Sequence, residues 1–261
     1  MVAECPLTYV RSSGVRTGVL EAVADAPAPT RDLVARLDAS ESAVYEAVDD
    51  LAERGILRES GGEWEPTGAG TVVLDLLERQ RETTDVLRAA PDYWEAHTTG
   101  VLPRRCREEL GALAGFEIVR GTATDPTRPV RESARRIEAA ERVDVITHVH
   151  QSQLSPAVRE TDAEMRYVLD RSLVEEFATD PPEDIVAMRQ SAVRVADANF
   201  AFFVTEDCLV LSLPLCTGEY DPRSVLVAEG AAALDWGRRL FDHYWSAADP
   251  LEAGVEQWPV G

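Results

Sequence analysis

The chain has 261 residues and a formal net charge of −21 at pH 7, from 47 acidic and 26 basic side chains. Every basic residue is arginine, and lysine is absent. Such a protein repels itself in dilute buffer, whereas molar salt shortens the screening length to about 3 Å. The composition therefore favours a cytoplasmic protein of a halophile over an acidic mesophilic protein. We expect no targeting or transmembrane segment, because no apolar run approaches the roughly 18 residues that span a bilayer.

The N-terminal stretch carries the element order helix, helix, turn, helix, hairpin. Apolar residues at helical spacing predict a helix over residues 15–26 and another over residues 31–37, with Thr30 as the N-cap of the second. Ser40 is expected to cap a third helix. Gly61-Gly62 lies between two short β-like runs and indicates a β-hairpin. This order is typical of a winged helix-turn-helix domain.

The third helix would enter the DNA groove, yet its outward face is acidic. A helical wheel places Ser42, Glu46 and Asp49 opposite the apolar residues, with Tyr45 on the flank. Hydroxyls and helix N-terminal amides contact phosphates or base edges, and carboxylates accept a hydrogen bond from cytosine N4. The residues predicted to contact double-stranded DNA are Thr30, Arg31, Ser40, Ser42, Tyr45, Glu46, Asp49, Arg58 and Trp64.

Salt decides whether this acidic face is compatible with DNA. Residues 1–70 contain 6 arginines and 13 acidic residues, whereas DNA-binding domains are usually basic. In molar salt, however, the counterion release that basic side chains provide is nearly spent. We therefore predict DNA binding that is retained or strengthened as KCl rises. The alternative is a winged helix that no longer binds DNA and serves as a protein-interaction adaptor.

The rest of the chain predicts a link and a second domain. TVVLDLLERQRETTDVLRAA indicates a long amphipathic helix, which would pair with its twin in a homodimer or pack on its own C-terminal domain. From about residue 116, β-rich runs alternate with helices, and FAFFVTEDCLVLSLP predicts a hairpin turning at Glu206-Asp207. We predict a two-domain α+β protein: a DNA-binding domain (1–70), a linking or dimerisation helix (71–115), and an α/β effector or oligomerisation domain with a mixed sheet (116–261).

Two parts of the sequence resemble known regulators. TRDLVARLDASESAVYEAVDDLAERGIL resembles the winged helix-turn-helix of archaeal TrmB-like transcriptional regulators. LPRRCREELGALAGFEIVRG, MRYVLDRSLVEEF and YDPRSVLVAEGAAALDWGRRLFDHYW resemble haloarchaeal relatives of the methanogenesis-regulator middle-domain family. The resemblance implies a sequence-specific repressor or activator, usually dimeric, with a C-terminal effector or oligomerisation domain. Some TrmB-like relatives sense sugars or control central carbon metabolism.

Catalysis and metal binding are not expected. His148 and His150 follow a predicted strand, where alternation would place both imidazoles on one face, but no third ligand lies nearby. The C-terminal layer is similar to the phospholipase-D-like half domains of TrmB relatives, whose enzymes use an H-x-K-x-x-x-x-D motif. Here His150 stands where that motif has lysine. The four cysteines lack C-x-x-C spacing and are expected to be reduced. No cofactor is implied.

A small-molecule effector would bind at strand ends. Ligands of α/β sheets bind in such loops, and an arginine there can hold a carboxylate or phosphate. The alternative reading is a local ion pair and an Asp-Pro turn. In the last predicted helix, Trp236 and His243 fall outside the apolar stripe and would contact a second subunit. The candidate effector residues are Asp170, Arg171, Tyr220, Asp221 and Arg223.

Overall fold

The computed structural model describes residues 5–180, 182, 188 and 191–251. The chain forms two compact units, Met1–Arg81 and Glu82–Gly261. The N-terminal unit and the helix that leaves it contain α1 (Pro6–Arg11), α2 (Gly14–Asp25), α3 (Thr30–Arg36), α4 (Glu41–Glu53), β1 (Leu57–Ser60), β2 (Glu63–Pro66) and α5 (Gly68–Ala89).

The helices and the hairpin of the N-terminal unit occur in the predicted order. Val19, Leu33, Val44 and Leu51 are completely buried, so α2, α3 and α4 share one core. Ser40 is the N-cap of α4, as predicted, and its hydroxyl accepts a hydrogen bond from the Ala43 N–H at 3.3 Å.

The predicted cap of α3 was wrong. Pro29 occupies the N-cap position of this helix and makes no side-chain capping bond. Thr30 is the first helical residue, and its hydroxyl accepts a hydrogen bond from the Trp64 indole N–H at 3.0 Å. The Asp32 and Leu33 N–H groups both donate to the Pro29 carbonyl oxygen, at 2.9 and 3.3 Å, so the helix begins at Thr30 without a capping side chain.

The β1–β2 hairpin has the two-residue turn that its glycines predict. Ser60 pairs with Glu63 across the turn, and Gly61 and Gly62 have φ angles of 64° and 88°. Two consecutive positive φ angles define the type I′ turn, which matches the twist of the strands and is strained for residues with a Cβ.

The C-terminal unit is built on one eight-stranded sheet. Its helices are α6 (Pro91–Ala96), α7 (Arg104–Glu108), α8 (Arg128–Glu138), α9 (Ser155–Glu160), α10 (Arg171–Thr179) and α11 (Ala231–Ala247). Its strands are β3 (Glu117–Arg120), β4 (Arg142–Thr147), β5 (Glu164–Asp170), β6 (Ala192–Ala196), β7 (Ala201–Val204), β8 (Cys208–Ser212), β9 (Ser224–Glu229) and β10 (Asp249–Pro250). The sheet order is β10-β6-β5-β4-β7-β8-β9-β3.

Parallel and antiparallel pairs meet at β4, which confirms the predicted α+β class with a mixed sheet. β4 pairs parallel with β5 and antiparallel with β7, and β5 pairs parallel with β6. The remaining pairs of this sheet are antiparallel. β7 and β8 form the hairpin predicted around Glu206-Asp207. Parallel strands need crossovers, and α9 and α10 lie in those two connections.

Each face of the sheet is covered by helices. Leu209 and Leu211 of β8 belong to the core on the side of α6, α7 and α11, whereas Val210 belongs to the core on the side of α8, α9 and α10. Side chains alternate along a strand, so one buried strand supplies both cores. This explains why β8, buried at all five positions, has no polar face.

Two sequence predictions differ from this arrangement. The stretch 71–115 was predicted as a separate link, but Tyr93, Leu102 and Leu113 are buried in the core of the C-terminal unit. The division between the units falls inside α5, after Arg81. Trp236 was predicted to contact a second subunit, yet it is completely buried and donates its indole N–H to the Cys106 carbonyl at 3.0 Å.

The described part of the chain lacks some common features. No helix in it combines the length and apolarity needed to cross a bilayer. No group of three or more histidine, cysteine or acidic side chains in it could hold a metal ion. The four cysteines are free thiols.

Candidate nucleic-acid interface and ligand cavity

The outward face of α4 presents hydroxyls and carboxylates together. Ser42, Tyr45, Glu46 and Asp49 are all exposed, and the Tyr45 side chain is 44% exposed. The hydroxyl oxygens of Ser40 and Ser42 are 3.3 Å apart at the start of the helix. The buried residues of α4 lie on the opposite face. The structure therefore brings the predicted contact residues of this helix onto one accessible surface.

Two of the predicted arginine contacts are also accessible. The Arg31 side chain at the start of α3 is 82% exposed, and its Nε lies 3.3 Å from an Asp32 carboxylate oxygen. Arg58 on β1 is 67% exposed and forms a 2.8 Å ion pair with Glu65 on β2. Exposed pairs of this kind are weak, so both guanidinium groups could exchange their partner for a phosphate.

Thr30 and Trp64 occupy a different environment. Both side chains are half-buried and hydrogen bonded to each other. The Ala28 and Trp64 backbones exchange hydrogen bonds of 2.9 and 3.3 Å. These contacts join the hairpin to the entry of α3, and they occupy the only N–H of the indole ring.

A cluster around Tyr9 was not anticipated from the sequence. The Arg16 and Arg54 guanidinium carbons lie 3.9 and 3.5 Å from the centroid of the Tyr9 ring. The Tyr9 hydroxyl donates to Asp50, whose carboxylate is 3.7 Å from Arg16. Burial and this hydrogen bond raise the pKa of Tyr9. Arg16, Arg54 and Asp50 are thus engaged inside the unit, which leaves the α4 surface still more acidic than the composition indicates.

The predicted effector residues mostly stabilise the fold. One Asp170 oxygen accepts bonds from the Ser172 N–H (3.0 Å) and hydroxyl (2.6 Å) at the start of α10, and the other accepts the Ala198 N–H at 2.8 Å. Burial would raise the pKa of Asp170, but these hydrogen bonds together lower it. Arg171 lies within 3.6 Å of carboxylates of Asp197 and Asp249.

The loop before β9 has the same structural character. Asp221 is buried and accepts hydrogen bonds from the Arg223 N–H at 2.8 Å, from Ser224 and from His97 at 3.1 Å. Burial opposes its ionisation, yet these bonds lower the pKa of Asp221. Arg223 itself is exposed. Asp221 therefore joins this loop to α6 and is not accessible to a ligand.

A cavity of about 90 Å³ lies beside the C-terminal end of β4. It separates the sheet from α8, α9 and α10, where Leu173 and Phe177 face Phe203, Val210 and Val225. Sequence reasoning missed this cavity, although its position after a strand at the parallel-to-antiparallel switch agrees with the general rule for ligand sites.

Tyr220 is the predicted effector residue that adjoins the cavity. Its hydroxyl accepts a hydrogen bond of 2.6 Å from the side chain of Gln151, a residue that lines the cavity. Burial raises the pKa of Tyr220 to about 12, so its hydroxyl keeps its proton at neutral pH.

His148 and His150 do not form a pair on one strand face. β4 ends at Thr147, so strand alternation does not extend to either histidine. The His148 ring packs against Tyr220 with centroids 5.7 Å apart, whereas His150 packs against Phe177 at 5.6 Å. Burial lowers the pKa of His148.

Family models match both parts of the chain. Residues 126–247 match the family model of the methanogenesis regulatory protein FilR1 middle domain. Residues 7–89 match the family model of the HVO_A0261 N-terminal domain.

Among curated proteins, the chain is similar to the methanogenesis regulatory protein FilR1 of Methanothrix harundinacea strain 6Ac. The two are 24% identical over 260 residues, which cover 93% of this chain and 57% of that relative. The chain thus spans little more than half the length of a relative that is named as a regulator.

Two solved structures show a distant likeness to the chain. The archaeal chromatin protein TrmBL2 has a TM-score of 0.40 and 12% identity, over 94% of this chain and 98% of that one. HmgR of Pseudomonas aeruginosa has a TM-score of 0.25 and 15% identity, over 91% of this chain and 96% of that one. At these TM-scores the likeness carries no functional argument.

Proposed function

We propose that this protein is a sequence-specific, DNA-binding transcriptional regulator of a halophilic archaeon. Its N-terminal unit would act as a winged helix-turn-helix on double-stranded promoter DNA in the cytoplasm. A ligand-responsive C-terminal unit and a role in central carbon metabolism extend the same proposal. The similar protein FilR1 is named as a regulatory protein, which supports a role in regulation. The order of α2, α3, α4 and the hairpin supports a DNA-binding domain of the winged helix-turn-helix type.

The exposed start of α4 is the observation that carries the proposal. Ser40, Ser42 and Tyr45 place three hydroxyls on the exposed side of the first turns of a helix whose other face is buried. Such a helix end approaches phosphates and base edges in helix-turn-helix complexes. We assign Arg31 and Arg58 to backbone phosphates, and Glu46 and Asp49 to base edges in the major groove.

Thr30 and Trp64 receive a positioning role in this proposal. Their mutual hydrogen bond uses the indole N–H and holds β2 against the start of α3. A hairpin held in this way keeps Arg58 beside the surface formed by α3 and α4, without Trp64 donating a hydrogen bond to DNA.

A homodimer is part of the proposal. Val72 and Leu76, which are 56% and 36% exposed, lie one turn apart on α5. Apolar residues at this spacing on a solvent-facing helix are typical of a helix–helix contact. Sedimentation in molar KCl should give a dimer for the wild type and a monomer for Leu76→Asp, whereas Asp75→Asn on the same helix should leave the dimer intact. A wild-type monomer at micromolar concentration would contradict this part.

A mobility-shift experiment in molar KCl tests DNA binding. Fragments of the host genome should be retarded, and Ser42→Ala combined with Tyr45→Ala should abolish the shift of specific fragments. Thr217→Ala, which removes an exposed hydroxyl from the C-terminal unit, should leave it unchanged. If no fragment is retarded at any KCl concentration, the DNA-binding proposal fails.

The alternative function is a protein-interaction adaptor. The observation that favours it is the acidic outward face of α4, together with the internal use of Arg16 and Arg54. An adaptor would give no shifted genomic fragment, and its α4 surface would instead be protected by a protein partner.

A further inference from the structure

The cavity lies entirely in the C-terminal unit, outside the unit proposed to bind DNA. Its floor is the sheet, through Phe203, Val210 and Val225, and its roof includes Leu173 and Phe177 of α10. Leu173 and Phe177 are each 2% exposed, so the roof belongs to the core. A space of about 90 Å³ within such a core forgoes contacts that close packing would otherwise supply.

The lining of the cavity carries almost no charge. Among its 21 lining residues that the structure describes there is no aspartate, glutamate or arginine, although these types make up 28% of the chain. Burying an anion or a sugar here would leave its charge or its hydroxyls without partners, which costs several kcal/mol per group. The cavity therefore selects against carboxylates, phosphates and sugars.

Three of the polar residues that line the cavity lie at or just after the end of β4. Thr147, His150 and Gln151 follow or end β4, line the cavity and are half-buried. Gln151 donates to the Tyr220 hydroxyl at 2.6 Å, and His150 Nε2 lies 3.3 Å from the Ser155 hydroxyl. These donors and acceptors can exchange partners with one hydroxyl or carbonyl group of a ligand.

We propose that this cavity binds a neutral, compact aromatic or branched aliphatic molecule that carries a single hydroxyl or carbonyl group. Its apolar part lies between Phe177 and Phe203, and its polar group faces Gln151 and His150. An engineered apolar cavity of about 150 Å³ holds benzene. The space of about 90 Å³ is smaller, so it limits the ligand to no more than a single small ring or a short branched chain. Binding of this ligand does not depend on the proposed DNA binding.

The chain supplies its own reporters for a test. Of its three methionines, Met165 and Met188 line the cavity. The full-length protein, labelled with ¹³C at the methionine methyl groups, can be titrated with 4-methylphenol in molar KCl at pH 7. We expect saturable shifts of the Met165 and Met188 signals. Benzoate and glucose, as anionic and polyhydroxyl probes, should move neither signal.

A pair of matched variants locates the binding. Ala201 lines the cavity, whereas Ala192 is exposed on β6 of the same sheet. Ala201→Leu should fill the space and reduce the affinity for 4-methylphenol at least tenfold, and Ala192→Leu should preserve it. Gln151→Leu should weaken 4-methylphenol but not toluene, because only the phenol has a hydroxyl to lose a partner.

Three outcomes would overturn the proposal. The first is the absence of saturable methionine shifts with 4-methylphenol and toluene in the wild type. The second is equal loss of binding in Ala201→Leu and Ala192→Leu, which would indicate non-specific association. The third is equal or tighter binding of benzoate. The wild-type titration is decisive even if Ala201→Leu fails to fold, and an intact ligand response in a protein that shifts no DNA would separate this proposal from the regulator proposal.

Discussion

His97, the residue that follows α6, and Asp221, 124 positions later, form a buried hydrogen bond of 3.1 Å between Nε2 and Oδ2. The other ring nitrogen of His97 lies 2.8 Å from the Tyr93 carbonyl oxygen. The imidazole is thus held between a carbonyl of α6 and the carboxylate of a distant loop. This contact fastens α6, which follows α5 directly, to the loop that leads into β9.

Removing either partner should destabilise the C-terminal unit. A buried polar group that loses its partner costs about 1–3 kcal/mol, so we expect His97→Phe and Asp221→Asn each to lower the free energy of unfolding by about that amount. The double variant should lose less than the sum. Chemical denaturation in molar KCl measures this coupling, with the exposed His243→Phe as the control. A coupling energy near zero would show that the pair makes no net contribution.

Two glycines at the start of α5 should respond oppositely to alanine. A Cβ on Gly70 would lie 2.3 Å from the Ile56 carbonyl oxygen, whereas a Cβ on Gly68 would meet nothing within 4 Å. We expect Gly70→Ala to destabilise the N-terminal unit by about 1–3 kcal/mol through overpacking. Gly68→Ala should stabilise it by about 0.4–1 kcal/mol, because alanine restricts the unfolded chain. Thermal unfolding of both variants compares them directly, and equal stabilities would refute this contact.

A carboxylate on the outward face of α4 should affect the choice of base pair more than the overall affinity for DNA. If Glu46 accepts a hydrogen bond from cytosine, Glu46→Gln should lose about 1–3 kcal/mol of discrimination at one base pair while binding to random DNA stays equal or rises. Selection from randomised duplexes in molar KCl measures the preference. Glu175→Gln makes the same charge change on an exposed turn of α10 and should alter nothing. An unchanged base preference in Glu46→Gln would show that Glu46 does not contact a base edge.

Acid should weaken the contribution of Glu132 to stability. Hydrogen bonds from Arg135 (2.8 Å) and Arg136 on α8 lower the pKa of Glu132 from 4.5 to about 2. A carboxylate with a lowered folded-state pKa stabilises the protein fully above the unfolded-state value and loses this effect as pH falls toward the folded-state value. The stability difference between wild type and Glu132→Gln should therefore be present at pH 7 and shrink below about pH 4.5. Urea titrations across this range test it; a difference that grows with acid would contradict the assignment.

Local signals explain why the N-terminal unit was largely predictable from its sequence. Ser40 caps a helix that begins at the next residue, and Gly61-Gly62 form the turn between two adjoining strands. Both signals depend only on residues that are close in the sequence. The cap of α3 was misassigned, because a threonine is a usual cap and its bond to Trp64 spans 34 positions.

Contacts over long sequence distances explain what could not be predicted in the C-terminal unit. Trp236 lies outside the main apolar stripe of α11, yet its buried indole donates a hydrogen bond to Cys106 of α7. A helical wheel of α11 alone contains no information about this contact with a distant helix. The cavity is bounded by several strands and helices, so no single segment carries its pattern. Asp170 and Asp221 were reasonable ligand candidates by residue type, but caps and turns engage their carboxylates.

The two edge strands of the large sheet, β10 and β3, are poor templates for pairing with a further strand. β10 has two residues and ends in Pro250, which has no N–H to donate, and β3 begins and ends with the exposed charged residues Glu117 and Arg120. Dense brine suppresses the mutual repulsion of acidic proteins, so a high negative charge no longer prevents aggregation there. We expect the short, proline-ended β10 and the charged ends of β3 to keep the sheet from pairing with other copies and forming fibrous assemblies.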